Sequence, residues 1–99
     1  MDEDIEAVYG VVRQIPPGKV LAYGQVGAEV GVRPRRVGRI MAFACEEDAV
    51  PWHRVVGSDG TLRLASRSPV QAQTQRRLLE AEGVVFDSRG RVSPQFFLD

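Results

Sequence analysis

The stretch Pro51-Trp52-His53-Arg54-Val55-Val56 contains the residue types that are most typical of a reactive site. His53 is the single histidine of the chain, and an imidazole can act near neutral pH as the general base that activates a neighbouring nucleophile. The neighbour is Trp52, however, and an indole offers only an N–H donor and a flat apolar face. The stretch therefore presents an aromatic surface and no nucleophile, and it predicts a hydrogen-bonded structural role for His53.

The single thiol, Cys45, is the other candidate for chemistry. A lone cysteine near the end of a helix is more often a small buried apolar residue than a nucleophile, so we predict no catalytic role for it. Group transfer to Cys45 is kept as an alternative. One cysteine and one histidine provide neither an internal disulfide nor a ligand set for structural zinc, so we expect no metal and no cofactor.

Length and composition predict one small domain over residues 1–99, with 43% hydrophobic residues. We find no apolar run of the roughly 20 residues that a membrane span needs, and we expect a cytoplasmic protein. The net charge is zero, but its distribution is uneven. Acids cluster at 2–6 and 46–48, whereas no acid interrupts 30–45, which contains Arg33, Arg35, Arg36 and Arg39. This pattern predicts one basic face.

Three helices are predicted in the first half of the chain. Apolar residues spaced by three and four indicate a first helix with one buried face, which Pro16-Pro17-Gly18 ends: Ile5, Val8, Tyr9, Val12 and Ile15. A second helix is predicted over about Gln25 to Val30. After a tight turn at 31–33, a third helix begins at Pro34. Two short helices joined by a turn with a glycine form a helix-turn-helix.

The third helix has two distinct faces. At 100° per residue one face is apolar and must be buried, and it comprises Val37, Ile40, Met41 and Ala44. Arg35 and Arg39 point the opposite way, with the small residues Gly38 and Ala42 beside them. Such a face allows the helix to approach a DNA duplex closely while the guanidinium groups reach phosphates or bases. An arginine face that contacts only solvent is the alternative.

The second half of the chain predicts two hairpins and a helix. Residues 54–56 and 61–64 flank a turn at 57–60, which predicts a β-hairpin that serves as the wing of a winged helix-turn-helix. Ser68 and Pro69 begin a fourth helix that extends to Glu82 and stops at Gly83. A second small hairpin is predicted over 84–92, and 96–98 close the core. The expected fold is mainly α with small β-hairpins.

Several motifs resemble, in order, those of the O6-alkylguanine-DNA alkyltransferases. Residues 51–55 are similar to that family's Pro-Cys-His-Arg-Val, with Trp52 in place of the acceptor cysteine. Residues 15–20 resemble its Ile-Pro-x-Gly-x-Val turn, and residues 22–26 its Ser/Thr-Tyr-Gly-Gln-Ile/Leu segment. Residues 35–41 and 79–83 are similar to Arg-x-Val-Gly-x-Ala-Met and Leu-x-x-Glu-Gly. The tryptophan is the mark of the alkyltransferase-like proteins, which resemble the enzymes but bind alkylated DNA without repairing it.

The resemblance implies roles for individual residues. Tyr23 matches the tyrosine that pushes on the target phosphate, and Arg35 matches the arginine finger that fills the gap in the base stack. The implied DNA-binding residues are Tyr23, Arg35, Arg36, Gly38 and Arg39, and the implied lesion pocket comprises Trp52, His53, Val55, Val56 and Arg67, with Arg63 as the alternative to Arg67. His53 and Glu82 match the pair that activates the cysteine. Ala44 replaces the family's hydrogen-bonding asparagine, so the relay is broken at two places.

The expected function is therefore a non-enzymatic sensor of DNA damage. It is expected to bind duplex DNA through the minor groove, flip O6-alkylguanine into a pocket and flag the lesion for nucleotide excision repair. The implied partners are alkylated double-stranded DNA and nucleotide excision repair proteins, with no membrane and a monomeric chain. Two alternatives stay open, a winged-helix transcription regulator without lesion preference and a residual alkyltransferase that uses Cys45.

Overall fold

The computed structural model describes residues 2–98. Within this range the fold is mainly helical. Its α-helices are α1 (Glu3–Arg13), α2 (Tyr23–Val30), α3 (Pro34–Glu47) and α4 (Pro69–Ala81), and its two short strands are β1 (Leu21–Ala22) and β2 (Val55–Val56). Single 3-10 turns cover Trp52–Arg54, Arg63–Ser66 and Pro94–Phe96. The mainly α fold predicted from the sequence is confirmed.

Helix α1 packs its apolar face into the larger of two hydrophobic clusters. The Asp2 carboxylate caps the helix by accepting a hydrogen bond from the backbone N–H of Asp4 at 2.8 Å. Val8, Tyr9 and Val12 are buried, as the spacing predicted, and Ile15 is buried just beyond the helix end. These residues pack with the inner faces of α2 and α3, so the large cluster supports the helix-turn-helix.

The helix-turn-helix formed by α2 and α3 depends on two glycines. Gly31 ends α2 in the left-handed conformation, with φ of 71°, which glycine adopts without steric cost. Gly27 lies so close to the Val32 carbonyl that an added Cβ would be 2.1 Å from its oxygen. Pro34 occupies the first turn of α3, where a missing N–H breaks no helical hydrogen bond. The predicted helix-turn-helix is therefore present, with α2 beginning two residues earlier than expected.

The predicted wing hairpin is wrong. Residues 55–56 pair in parallel with residues 21–22, in the register Leu21 with Val55 and Ala22 with Val56. Residues 63–66 form a 3-10 turn instead of a return strand, although the tight turn at 57–61 exists and the Gly57 N–H donates to the Thr61 carbonyl. Both valines of β2 are buried, and that burial favours pairing with distant β1 over pairing with the polar segment that follows.

The C-terminal part encloses the smaller hydrophobic cluster. Helix α4 begins at the predicted Ser68 cap and is followed by Gly83 at φ of 92°. The predicted second hairpin is reduced to one antiparallel bridge between Phe86 and Val92. Phe96 and Phe97 pack against this smaller cluster, and Leu98 packs against the larger one, which confirms that the C-terminal residues close the core.

Candidate nucleic-acid interface

A cleft of about 560 Å³ opens between the helix-turn-helix and the segment that follows β2. Its walls come from three parts of the chain: the start of α2, the first two turns of α3, and residues 57–67. The lining residues are Tyr23, Gly24, Pro34, Arg35, Gly38, Arg39, Gly57, Ser58, Arg63, Leu64 and Arg67. Four are arginines and none is acidic, so the cleft favours an anionic or electron-rich ligand.

Helix α3 provides two of these arginines because its opposite face is held in the core. Val37, Ile40, Met41 and Ala44 are buried, as predicted from the periodicity. Arg35 and Arg39 are exposed, and neither makes a side-chain hydrogen bond or ion pair with any residue from 2 to 98. Gly38 also lines the cleft, and an added Cβ there would meet no atom within 4 Å, so space is open above the helix backbone. The two guanidinium groups are thus available to a ligand.

Tyr23 forms the wall opposite α3, at the first residue of α2. Its helix start is fixed by Gln25, whose side-chain oxygen accepts a hydrogen bond from the Ala22 N–H at 2.8 Å. Burial raises the pKa of Tyr23 to about 12, against an opposing effect of Arg63. The phenol therefore keeps its proton at neutral pH and can donate a hydrogen bond to an anionic group.

The third wall is braced by a small polar network at 57–63. Asp59 accepts hydrogen bonds from the Thr61 backbone N–H at 3.1 Å and from its hydroxyl at 2.7 Å. The Thr61 hydroxyl in turn accepts from Arg63 Nε at 3.0 Å. Arg63 is thereby held by its own segment, whereas exposed Arg67 makes no side-chain hydrogen bond or ion pair within residues 2–98. Of the two arginines considered for ligand contact, Arg67 is the one left available.

The predicted lesion-pocket residues do not all reach the cleft. Arg67 lines it, but Trp52 is only 4% exposed and lies in the larger hydrophobic cluster, which also includes the cleft residue Leu64. The indole N–H donates to the Asp48 carboxylate at 3.2 Å. Val55 and Val56 are fully buried because they form β2. The structure thus places the indole in the protein interior instead of on the cleft surface.

His53 belongs to a half-buried network centred on Glu82. His53 Nε2 and Glu82 Oε2 lie 2.7 Å apart, and Arg54 Nη2 donates to the same oxygen at 2.8 Å. The other carboxylate oxygen accepts from the Gly18 backbone N–H at 3.0 Å. Burial opposes ionisation of Glu82, but the hydrogen bonds from Arg54, His53 and Gly18 outweigh it and lower its pKa to about 2. We call this network the Glu82 clamp; it joins the 16–18 turn, the 53–54 segment and the end of α4.

Gln75 is a contributor that sequence reasoning missed. This α4 side chain is 1% exposed, and its Nε2 donates to the carbonyls of His53 at 3.2 Å and Val55 at 3.0 Å. It therefore fixes the backbone on both sides of Arg54. The only signal in the sequence is a glutamine on the inward face of a predicted helix. Gly57, Ser58 and Leu64 were missed as cleft residues for another reason, because the wing hairpin that was predicted for them does not form.

Arg36 points away from the cleft and towards the start of α1. Its Nε donates to Asp4 Oδ2 at 2.7 Å, and its Nη2 donates to Asp2 Oδ2. About 41% of the Arg36 side chain remains exposed. The predicted basic face is therefore divided: Arg36 is paired at the edge of the cleft, whereas Arg35 and Arg39 line the cleft and have no ion pair among the described residues.

The geometry around Cys45 disfavours a thiolate. Its Sγ donates to the Ala42 carbonyl at 3.1 Å, and burial followed by the negative charge of Glu46 raises its pKa. A raised pKa lowers the fraction of the reactive form at neutral pH. Within residues 2–98, no group of three or more potential ligands is arranged to hold a metal ion. In the same range, no helix is long and apolar enough to cross a membrane.

Comparison with known proteins agrees with the fold. The family profile described as "6-O-methylguanine DNA methyltransferase, DNA binding domain" matches residues 5–84. The chain is 43% identical to alkyltransferase-like protein 1 of Schizosaccharomyces pombe, over 85% of this chain and 79% of that protein. It is 33% identical to a DNA base-flipping protein of Vibrio parahaemolyticus, over 94% of this chain and 92% of that protein.

Among solved structures, the chain is similar to S. pombe Atl1 in complex with damaged DNA containing O6-carboxymethylguanine. The TM-score is 0.85 at 38% identity, and the match covers 100% of this chain and 97% of that one. The fold and the arginine-lined cleft thus define a helix-turn-helix domain of the alkyltransferase type. The chain belongs to the family of the 6-O-methylguanine DNA methyltransferase DNA-binding domain and, within it, to the alkyltransferase-like proteins.

Proposed function

We propose that this protein is a non-enzymatic sensor that binds duplex DNA, flips O6-alkylguanine into the arginine-lined cleft and leaves the alkyl group in place. The observation that carries the proposal is a cleft of about 560 Å³ next to an alkyltransferase signature whose nucleophile is replaced by Trp52. The volume lies within the range of small-molecule sites, so a flipped base fits. The relatives support the proposal, since one is named a DNA base-flipping protein and another was solved with damaged DNA.

Base flipping explains why the cleft has both charged and aromatic walls. A base in a duplex hides its Watson–Crick edge, and extruding it costs a few kcal/mol, less for a poorly paired lesion. In the proposal Arg35 occupies the vacated stack, the role that the resemblance to the alkyltransferases implies. The neutral Tyr23 hydroxyl donates to the rotated phosphate, and Arg39 neutralises neighbouring phosphates. Arg67 lies against the flipped base as a cation. Gly38 lets the backbone of α3 approach the minor groove.

In the proposal, the Trp52 indole contacts the alkyl group of the lesion. Because the indole is buried beside the cleft, contact requires Leu64 and its neighbours to give way to the flipped base. An alkyl group transferred from water to such an apolar site gains about 0.8 kcal/mol per methylene, which favours the lesion over plain guanine. Contact between the Trp52 indole and the alkyl group thus stays a prediction about the DNA-bound state. In that state His53, Val55 and Val56 support the indole on the side away from the ligand.

The downstream steps belong to the same proposal. A protein that retains the lesion without repairing it is useful if it presents that lesion to another pathway, and we propose nucleotide excision repair proteins as the partners. We also propose that the protein acts as a monomer in the cytoplasm and associates with the nucleoid when it is bound to DNA.

Two measurements test the proposal. One duplex sequence, carrying either guanine or O6-methylguanine at the same position, is titrated at a stated salt concentration, because the phosphate contribution depends on salt. We expect tighter binding to the alkylated duplex, and equal affinities would instead support a regulator without lesion preference. In the second measurement the methyl group carries a label, and we expect the protein to bind the duplex without acquiring that label.

A further inference from the structure

The pairing of Arg36 with the start of α1 suggests a role that the proposed function does not require. Arg36 lies in the first turn of α3, beside Arg35, which lines the cleft. Asp2 and Asp4 place two carboxylates on its guanidinium group. The hydrogen bonds that Arg36 donates to Asp4 and Asp2 raise the pKa of Arg36, and the hydrogen bond from the Asp4 backbone N–H, followed by that from Arg36, lowers the pKa of Asp2. Both shifts favour the charged forms of Arg36 and Asp2.

Carboxylates and phosphates are recognised by a guanidinium group in the same way, through parallel N–H···O hydrogen bonds. A duplex lying along the cleft brings its phosphates to the first turn of α3, where the N-terminal partial charge of the helix also attracts anions. Since α3 has no acid in its first turn, the carboxylates nearest to Arg36 come from the start of α1. The two acids therefore engage the Arg36 N–H donors, at the edge of the cleft, that a backbone phosphate would use.

We propose that Asp2 and Asp4 act as an internal phosphate mimic, which competes with duplex DNA for Arg36 and thereby weakens binding to the DNA backbone. Both acids and Arg36 remain 41–48% exposed, so the ion pairs are open to exchange with a phosphate. The two acids adjust the part of the DNA affinity that comes from backbone phosphates and does not depend on base sequence, whereas the cleft recognises the lesion. The inference rests on the proposed function only in that the protein binds duplex DNA.

The test compares two double variants that each remove two carboxylates from the same helix start. Asp2→Asn with Asp4→Asn removes the mimic, and asparagine still caps α1 as well as aspartate does. Glu3→Gln with Glu6→Gln is the matched control, because these exposed acids make no ion pair within residues 2–98. Affinity for an undamaged duplex is measured from 50 to 200 mM salt, and thermal unfolding verifies that both variants are folded.

We expect the Asp2/Asp4 variant to bind about threefold more tightly at low salt. Its salt slope should become steeper by about 0.9, the change for one added phosphate contact. The control variant should show a much smaller change. Adding Arg36→Ala to the Asp2/Asp4 variant should abolish the gain, because removing the two acids then frees no guanidinium group to bind a phosphate.

Several results would overturn the inference. They are an unchanged slope in the Asp2/Asp4 variant, the same gain in the Glu3/Glu6 control, and a gain that persists in the Arg36→Ala background. Retained preference for O6-methylguanine alongside any of these outcomes would leave the proposed function standing. A parent protein that binds neither duplex would overturn both proposals.

Discussion

The cleft and the Glu82 clamp use arginine in opposite ways. In the clamp, Arg54 donates to Glu82 and also, through Nη1, to the Ile15 carbonyl at 2.9 Å. Its N–H groups and its charge therefore stabilise the fold. In the cleft, Arg35 and Arg39 have no side-chain partner within residues 2–98, and their charges remain available to a ligand. The comparison teaches that residue type alone does not mark a binding site. The location of the nearest carboxylate decides whether an arginine stabilises the fold or binds a ligand.

The clamp also gives His53 and Glu82 a structural role in place of the catalytic one that the resemblance to the alkyltransferases implies for the matching pair. His53 and Glu82 match the residues that activate a cysteine in the enzymes, yet their neighbour here is Trp52. The Glu82 carboxylate instead accepts hydrogen bonds from three chain segments, which makes it a structural centre. We therefore expect clamp variants to change stability, cleft variants to change DNA binding, and Trp52 variants to change both.

The largest effect is expected for Trp52→Ala, because the indole fills space in the core and its loss leaves a cavity. Truncation of a buried tryptophan costs about 3–5 kcal/mol in unfolding free energy, measurable by denaturant titration. Trp52→Phe keeps an aromatic ring and should lower the unfolding free energy less. It is therefore the variant in which DNA binding is measured. If the indole contacts the alkyl group, Trp52→Phe lowers the preference for alkylated over plain guanine, more so for longer alkyl groups. A folded Trp52→Phe protein with unchanged preference would place recognition at Arg67 instead.

Glu82→Ala is expected to lower the unfolding free energy by about 2–4 kcal/mol, because it leaves Arg54 and the Gly18 N–H without their buried partner. In a domain of this size that corresponds to a decrease in Tm of about 10–30 °C. Glu80→Ala is the control, since this exposed residue of α4 has Arg76 as its one ion-pair partner within residues 2–98, and its loss should cost about 0.5 kcal/mol or less. Equal losses in the two variants would show that the clamp is not a stabilising centre.

The pH dependence of stability provides a second measure of the clamp. Because the folded pKa of Glu82 is about 2, below its ordinary value of 4.5, the carboxylate stabilises the folded protein fully above pH 4.5. This stabilisation is lost as the pH falls from 4.5 through 2, by up to about 3 kcal/mol. We expect unfolding titrations to show a steeper loss for the parent than for Glu82→Gln. Parallel curves for the two proteins would contradict the lowered pKa.

Arg35→Ala is expected to weaken binding to the alkylated duplex by about tenfold to a hundredfold, the effect of losing roughly 1–3 kcal/mol of stacking and charge. Its stability should change by no more than about 0.5 kcal/mol, because the side chain is exposed. Arg36→Ala is the neighbouring control and should cost less, since Asp2 and Asp4 already hold this arginine. Equal small losses at both positions would favour an arginine face that contacts only solvent.

The smallest effect is expected for Cys45→Ser, which should alter neither lesion preference nor the absence of label transfer. Trp52→Cys should not restore transfer either, because Glu82 is engaged by Arg54 and because the resemblance implies that Ala44 replaces an asparagine of the enzymes. Mass spectrometry of the protein after incubation with labelled O6-methylguanine duplex measures both outcomes. A methyl group on Cys45 would support the residual alkyltransferase.

Local residue types were sufficient to predict several structural features of this protein. The periodicity of α1 and α3 was sufficient to predict their buried faces, because a helix repeats every 3.6 residues whatever it packs against. That Trp52 is not a nucleophile was equally evident, since no fold can give an indole the reactivity of a thiol. Proline and glycine at 31–34 predicted the helix-turn-helix for the same local reason.

Tertiary structure alone decided where the second half of the chain packs. The apolar residues of β2 were compatible with a local hairpin, but they pair with β1, more than thirty residues earlier, because that arrangement buries both valines. The same long-range packing draws Trp52 into the core and brings Asp2 and Asp4 to Arg36. Sequence periodicity reports which face of an element is buried, but the partner of that face depends on contacts between segments far apart in the chain.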